Sequence, residues 1–389
     1  MKQHRQTVRQ SWPLALVAAA TAAWSLSSVA DTRPLLEQRA DAQPEDTGIQ
    51  VRTLVDGLDS PWGLAFLPDG DMLVTEQGGR LLRVAGDDYS THVVDGAPAS
   101  TRHGQGGLMD VLLHPAYADN QLVYFSYTHA CDEAGTYTTR VSRGRLDGDV
   151  LADSEVLFTA QPCFDTGRHF GSRLVIQDGY LFVAVGDRGN RELAQSLETH
   201  NGKVIRLHED GRVPEDNPFA AEAGALPEIW TYGHRNPQGM AEDPRSGRLW
   251  TVEHGPRGGD EVNILAPGNN YGWPTITYGE EYRGGKIGIG THKEGMQQPL
   301  HYWVPSIATG NLAFYLQGGY GDWGPSLLVT GLAGTQIARL ALDGDTVREE
   351  TTLMKDLGWR VRDVRVGPDG LIYALADESR LIRLEPAAP

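Results

Sequence analysis

The stretch Trp62–Val84, WGLAFLPDGDMLVTEQGGRLLRV, decides the fold. An apolar run ends in a Pro-Asp-Gly turn, an alternating run follows, and Gly78-Gly79 leads into a third. The pattern returns at Val364–Leu384, VRVGPDGLIYALADESRLIRL. Weaker copies begin near Gly107, Gly171, Pro237 and Gly324. Repeats of this length, built from short strands and turns, are the signature of propeller blades. Six copies predict an all-β, six-bladed β-propeller with four-stranded antiparallel blades. Its central channel then offers the natural ligand site.

The repeat accounts for most of the 389 residues, so one domain over 49–389 suffices. Before it, Lys2, Arg5 and Arg9 precede the apolar run Pro13–Ala23, and Ser28-Val29-Ala30 supplies small residues for cleavage. Residues 1–30 therefore read as a cleavable secretory signal, too short and wrongly flanked for a membrane anchor. No twin-arginine pair precedes the apolar run, which favours the general secretion route and a periplasmic or secreted protein. Residues 31–48 are polar and proline-containing, and read as a flexible tail. The formal net charge of −17 argues against nucleic acid and anionic lipid as partners. The two cysteines, Cys131 and Cys163, fall in different repeats without metal-site spacing. In an oxidising compartment such a pair favours a disulfide, with two buried thiols as the alternative.

Propeller blades are packing units, and function falls to their loops. Four loops carry more polar and glycine residues than packing requires. Gly104-Gln105-Gly106-Gly107 lets backbone approach a ligand, and the Gln105 amide can donate and accept. Arg168-His169-Phe170-Gly171 places His169 before an apolar strand, where an imidazole suits general-base work. Asp187, in the next turn, could orient that ring. A third region combines Tyr232-Gly233-His234-Arg235-Asn236-Pro237-Gln238-Gly239 with Glu253-His254-Gly255-Pro256-Arg257-Gly258-Gly259-Asp260-Glu261 and Asn269-Asn270-Tyr271-Gly272-Trp273-Pro274. Arg235 offers a fixed cationic fork. The Gly255-Pro256 carbonyls and the Glu261 carboxylate are hard oxygen donors of the kind Ca²⁺ prefers. The fourth loop is Arg360-Val361-Arg362-Asp363. On a strand its two arginines share a face and would meet a polyanion. Ordinary turns and solvated ion pairs are the competing reading of each loop taken singly.

In combination and in chain order, these motifs resemble the soluble periplasmic PQQ-dependent aldose sugar dehydrogenases of the quinoprotein glucose/sorbosone dehydrogenase family. The resemblance runs from Gly57 to Leu384. It implies PQQ in the channel mouth, oxidation of an aldose at the anomeric carbon to a lactone, and an external electron acceptor. It implies His169 as general base and Gln105, Arg235, Asn236, Tyr282, Arg360 and Arg362 as PQQ contacts. It further implies Gly255 and Pro256 as carbonyl ligands of Ca²⁺, with Glu261 and the Tyr271 carbonyl at a calcium site. One position departs from the pattern. Ala333 follows Gly331-Leu332 where many relatives carry a PQQ-contacting lysine, and Lys355 is a candidate replacement. A Ca²⁺-dependent propeller hydrolase of the lactonase type and a non-catalytic glycan- or protein-binding propeller are the alternatives. The carbonyl pair and the paired arginines favour the oxidoreductase.

Overall fold

The computed structural model describes residues 48–131, 135–316, 319–321 and 323–386. The expected leader, and all but the last residue of the expected tail, lie outside the described residues. Within them the strands form six four-stranded antiparallel sheets, the expected propeller. No helix of the described residues is long and apolar enough to cross a membrane.

The chain enters through β1 (Gln50–Val55), which opens no blade of its own. It pairs with the last strand, so the two ends of the domain close the ring together. The first blade is β2 (Pro61–Phe66), β3 (Met72–Glu76), β4 (Leu81–Val84) and β5 (Thr91–Val94). The second is β6 (Leu108–Leu113), β7 (Leu122–Ala130), β8 (Tyr137–Asp147) and β9 (Val150–Thr159). The third is β10 (Leu174–Gln177), β11 (Tyr180–Val185), β12 (Lys203–His208) and β13 (Ile229–Tyr232). The fourth is β14 (Pro237–Glu242), β15 (Leu249–Glu253), β16 (Asp260–Ile264) and β17 (His301–Trp303). The fifth is β18 (Thr309–Tyr315), β19 (Ser326–Gly331), β20 (Gln336–Asp343) and β21 (Thr346–Leu353). The sixth is β22 (Val361–Val366), β23 (Ile372–Ala376) and β24 (Arg380–Glu385), completed by β1.

One boundary differs from the sequence reading. Gly324 does not begin the fifth repeat, because SLLVTG is its second strand. The first strand, TGNLAFY, carries Gly310 and Asn311 in place of an unbroken apolar run. Its connection to β19 also lacks the Pro-Asp-Gly turn that marks the first hairpins of the first and sixth blades.

The apolar cores lie between neighbouring blades. Trp250 and Val262 of the fourth blade pack with Leu327 and Leu340 of the fifth, for example. Each fully buried side chain of this size contributes roughly 1.5–3 kcal/mol. The first strand of each blade touches those of its neighbours around the axis. That closeness demands glycine. A Cβ on Gly63 would meet the Met109 carbonyl at 2.9 Å, and one on Gly310 would meet the Arg362 carbonyl at 2.3 Å.

Charged and polar groups from all six first strands, or the residue leading into one, meet at this axis. Arg173 Nη1 donates to Asp110 Oδ1 at 2.7 Å, and Arg173 Nε donates to the Gln238 carbonyl at 2.9 Å. Asp363 accepts from Leu64 N at 2.9 Å and Asn311 Nδ2 at 2.6 Å. Arg365 approaches both Asp110 and Asp363. Arg173, Asp110 and Asp363 are fully buried, so the two carboxylates and two guanidinium groups neutralise one another away from water.

Candidate active site

The loops leading into β6, β10, β14 and β22 converge on one mouth of the channel with the β11–β12, β15–β16 and β16–β17 connections. His169 sits just before β10 in the left-handed region, with φ +57°. Three contacts hold it there. Its N–H donates to Gln105 Oε1 at 2.7 Å. Its carbonyl lies against Gly186, where a Cβ would come within 2.2 Å. Its Nδ1 is 2.6 Å from Asp187 Oδ1. Asp187 also accepts from the Gly189 N–H at 2.7 Å and from Trp273 Nε1 at 2.8 Å.

Burial lowers the His169 pKa below its ordinary value, against the opposing pull of Asp187. Burial also raises Asp187, but its bond from His169 and the nearby charges of His169 and Arg235 hold it below the usual carboxylate value. The ring is therefore neutral at neutral pH, with the Nδ1 proton directed to an ionised carboxylate. Its Nε2 makes no hydrogen bond among the described residues and is the nitrogen left to take a proton.

Arg235 precedes β14. Its N–H donates to Glu253 Oε2 at 2.6 Å, its Nη1 to the His254 carbonyl at 3.2 Å and its Nη2 to the Tyr282 hydroxyl at 3.4 Å. Its guanidinium also lies 5.4 Å from the Trp273 ring centroid. Tyr282 is exposed at the rim. Asn236 is buried and accepts from the Gly171 N–H through Oδ1 at 3.0 Å. Arg362 Nη1 donates to Gln238 Oε1 at 2.8 Å. Burial, Arg360 and Arg173 together push the Arg362 pKa down to about 10. Arg360 is exposed and paired with Glu378 at 2.9 Å.

His254, to which the sequence reading gave no role, reports how these groups converge. Burial pushes its imidazole well below the ordinary value, and Arg235, Arg362, His169 and Arg360 push it further. A neutral histidine thus lies among the cationic side chains of the mouth.

Beside Arg235 is a second concavity, with room for about one water-sized particle. Gly255, Glu261 and Tyr271 line it together with Glu253, which the sequence reading also left without a role. Pro256 is outside its lining. Burial and the neighbouring Glu253 charge raise the Glu261 pKa to about 8. A carboxyl held in this way gains from a cation placed in the void. Next to it, burial lifts Asp260 to about 6 although Ser306, Gly255 and Ala308 donate to it.

Ala333 is exposed in the β19–β20 turn. The Lys355 ammonium donates to that turn, to the Gly334 carbonyl at 2.5 Å and to Gln336 Oε1 at 3.0 Å. On the opposite side of the mouth, the Cys131–Cys163 disulfide joins the β7–β8 connection to the segment leading to His169.

The family model for glucose/sorbosone dehydrogenases matches residues 58–383. The chain belongs to this family. It is 44% identical to the aldose sugar dehydrogenase YliI of Escherichia coli (strain K12) over 346 residues, 87% of this chain and 93% of that protein. The crystal structure of the soluble aldose sugar dehydrogenase from Escherichia coli in its apo form superposes with a TM-score of 0.84 at 43% identity, covering 87% of this chain and 99% of that one. The PQQ-bound aldose sugar dehydrogenase of Streptomyces coelicolor gives 0.71 at 28% identity, covering 88% and 99%. The mouth within the matched span holds one neutral histidine on a carboxylate, His169 on Asp187, and a second, His254, among Arg235, Arg360 and Arg362.

Trp273, Glu253 and His254 are the participants that the sequence reading left unassigned. All three sit inside the quoted third region, but neither an indole donor nor a buried acid announces itself in a linear motif. Their partners lie far away, 86 residues apart for Asp187 and Trp273.

Proposed function

We propose that the protein oxidises aldose sugars at the anomeric carbon to lactones, using PQQ and Ca²⁺ and passing the electrons to an external acceptor. The observation that carries this reading is the convergence of Arg235, Arg360 and Arg362 around neutral His254, beside His169. Three guanidinium groups at one mouth, with Arg362 hydrogen-bonded only to a neutral amide, Gln238, among the described residues, suit a ligand with several carboxylates. PQQ is such a ligand, and the PQQ-bound relative and the family's activity support it.

Gln105, Arg235, Asn236, Tyr282, Arg360 and Arg362 would hold PQQ. The Gly255 and Pro256 carbonyls would hold its Ca²⁺. The void lined by Glu261 and Tyr271 suits a calcium ion as well. When bound, the quinone supplies a hydride acceptor and Ca²⁺ supplies Lewis acidity.

The chain's own residues do the rest. Asp187 fixes the His169 tautomer, and His169 Nε2 removes the proton of the anomeric hydroxyl as the sugar carbon gives up hydride. Arg235 presents its guanidinium to the negative charge that develops opposite. Gln105 and buried Asn236 accept from the His169 and Gly171 backbone N–H groups respectively, which limits movement of the base during the reaction. The leader-like N-terminus supports export and a periplasmic or secreted site of action.

The test is reconstitution. Purified protein is titrated with PQQ and Ca²⁺, followed by absorbance, then assayed with an aldose panel and an artificial dye. Dye bleaching that needs both additions is expected. Full activity with PQQ stripped and excess chelator present would refute the reading.

A further inference from the structure

We infer that Trp273 is a positioning residue that fixes the His169–Asp187 pair from the neighbouring blade. The inference rests on the proposed role of His169 and goes beyond it. Trp273 Nε1 donates to Asp187 Oδ2 at 2.8 Å, while Asp187 Oδ1 serves His169 Nδ1 and the Gly189 N–H. Asp187 is 1% exposed, so the indole N–H meets a carboxylate shielded from bulk water. The carboxylate is thereby held at both oxygens, and its plane is set by a residue of the fourth blade's loop.

The donor itself is fixed. The Trp273 N–H donates to the Gly233 carbonyl at 2.9 Å, and its carbonyl accepts from Gln195 Nε2 at 2.8 Å. Its ring packs with Ala194 and Ile287. The guanidinium groups of Arg235 and Arg191 lie 5.4 Å and 5.5 Å from its centroid. The same side chain lines the acidic void with Glu261 and Tyr271. Trp273 therefore couples the fourth-blade loop to the base of the third. Tryptophan suits this position because it is a donor only and cannot turn an acceptor toward Asp187.

Removing the indole N–H while keeping an aromatic ring isolates the effect. In Trp273→Phe, Asp187 Oδ2 loses its donor and becomes more basic. Four charged or titratable groups face the His169 ring: Asp187 from the β11–β12 connection, Arg235 from before β14, His254 from the β15–β16 loop, and Arg168 from its own loop. Of these only Asp187 changes. A more basic Asp187 favours the imidazolium, so the His169 midpoint rises.

Two readouts test this. The first is the His169 ring titration, followed by NMR in PQQ-free protein, where the midpoint of Trp273→Phe should lie above that of the wild type. The second is steady-state turnover at saturating PQQ. There kcat should fall roughly 10- to 100-fold with little change in KM or PQQ affinity, as a displaced catalytic group predicts. An unmoved midpoint with near-normal kcat overturns the inference, as does a loss of kcat with an unmoved midpoint. If the variant does not fold, the wild type decides. The Trp273 indole N–H resonance must then follow the His169 titration with the same midpoint, and failure to do so overturns the inference. The NMR arm needs no sugar oxidation, so a wild type that reduces no dye would count against the proposed function alone.

Discussion

Arg362 and Gln238 are held together across the channel, with Arg362 Nη1 donating to Gln238 Oε1 at 2.8 Å. The same oxygen lies 2.9 Å from His254 Nε2. The Gln238 carbonyl meanwhile accepts from Arg173, deep on the axis. One glutamine therefore ties the cationic mouth to the buried charge cluster that joins the six blades. The mouth is thereby bonded directly to the axial cluster, which limits the reorganisation needed when a polyanion binds or charge develops there.

Replacing His169 with alanine should lower turnover at saturating cofactor by about 10²–10⁴-fold, the usual contribution of a general base. PQQ affinity should change little, because the proton His169 removes belongs to the sugar. A PQQ titration followed by steady-state rates separates the two effects. Near-normal turnover would mean that the base is another residue.

The pH dependence follows from the environment of His169. Its reactive form is the neutral ring, and burial holds its pKa below the ordinary 6.5. Turnover should therefore rise with pH along an acid limb and level off at a midpoint below that of a free imidazole. In kcat/KM the limb reports the free enzyme. A midpoint clearly above 6.5 would contradict the burial seen here.

Much of this fold is legible in local sequence. The turns Leu67–Gly70 and Gly367–Gly370 mark the first hairpins of the first and sixth blades, as their Pro-Asp-Gly sequences predict. What resists reading is whatever depends on distant partners. β1 shows no turn, because it pairs with β24 at the far end of the chain. β18 hides because Asn311 replaces an apolar residue in order to donate to Asp363 on the axis. The His169 and Arg235 loops stand out by unusual composition within a few residues. The Trp273 contact and the Glu253–Glu261 pairing across β15 and β16 exist only once the sheets form.

The two arginine types should separate in mutants. Arg235 is buried against Trp273 and the His254 carbonyl, whereas Arg360 is exposed and already paired with Glu378. Arg235→Ala should cut turnover by about 10²-fold or more even at saturating PQQ, as loss of a group stabilising developing charge does. Arg360→Ala should mainly raise the PQQ concentration required, by no more than about tenfold, since exposed ion pairs contribute little. The check is the same titration applied to both variants. Equal losses of turnover at saturation would place both guanidinium groups at the reacting centre.

Calcium should stabilise the protein through the void beside Arg235. Half-buried Glu261 lies there near buried Glu253, an arrangement costly without a cation. Adding Ca²⁺ to about 100 times its dissociation constant should stabilise the fold by about 2.7 kcal/mol per site bound only in the native state. Glu261→Gln should abolish most of that increment while leaving the calcium-free protein folded. Thermal unfolding with and without Ca²⁺ measures both. An undiminished increment in the variant would place the ion elsewhere.

Arg173 should matter for stability more than for chemistry. It is fully buried, bonded to Asp110 and the Gln238 carbonyl, 3.6 Å from Asp363, and 4.5 Å from the Trp62 ring centroid. Arg173→Met keeps an apolar stem of similar length but leaves Asp110 and Asp363 sharing Arg365 alone. Breaking a buried ion pair from one side typically costs about 3–5 kcal/mol, because a charge is left without compensation. Adding Asp110→Asn to that variant removes the stranded charge. The double variant should therefore lose less than the sum of the two single changes, a coupling expected for residues in direct contact. Urea unfolding of the three variants supplies the cycle. A loss below about 1 kcal/mol for Arg173→Met, or strict additivity, would show that the blades close on their apolar cores without help from the axial charges.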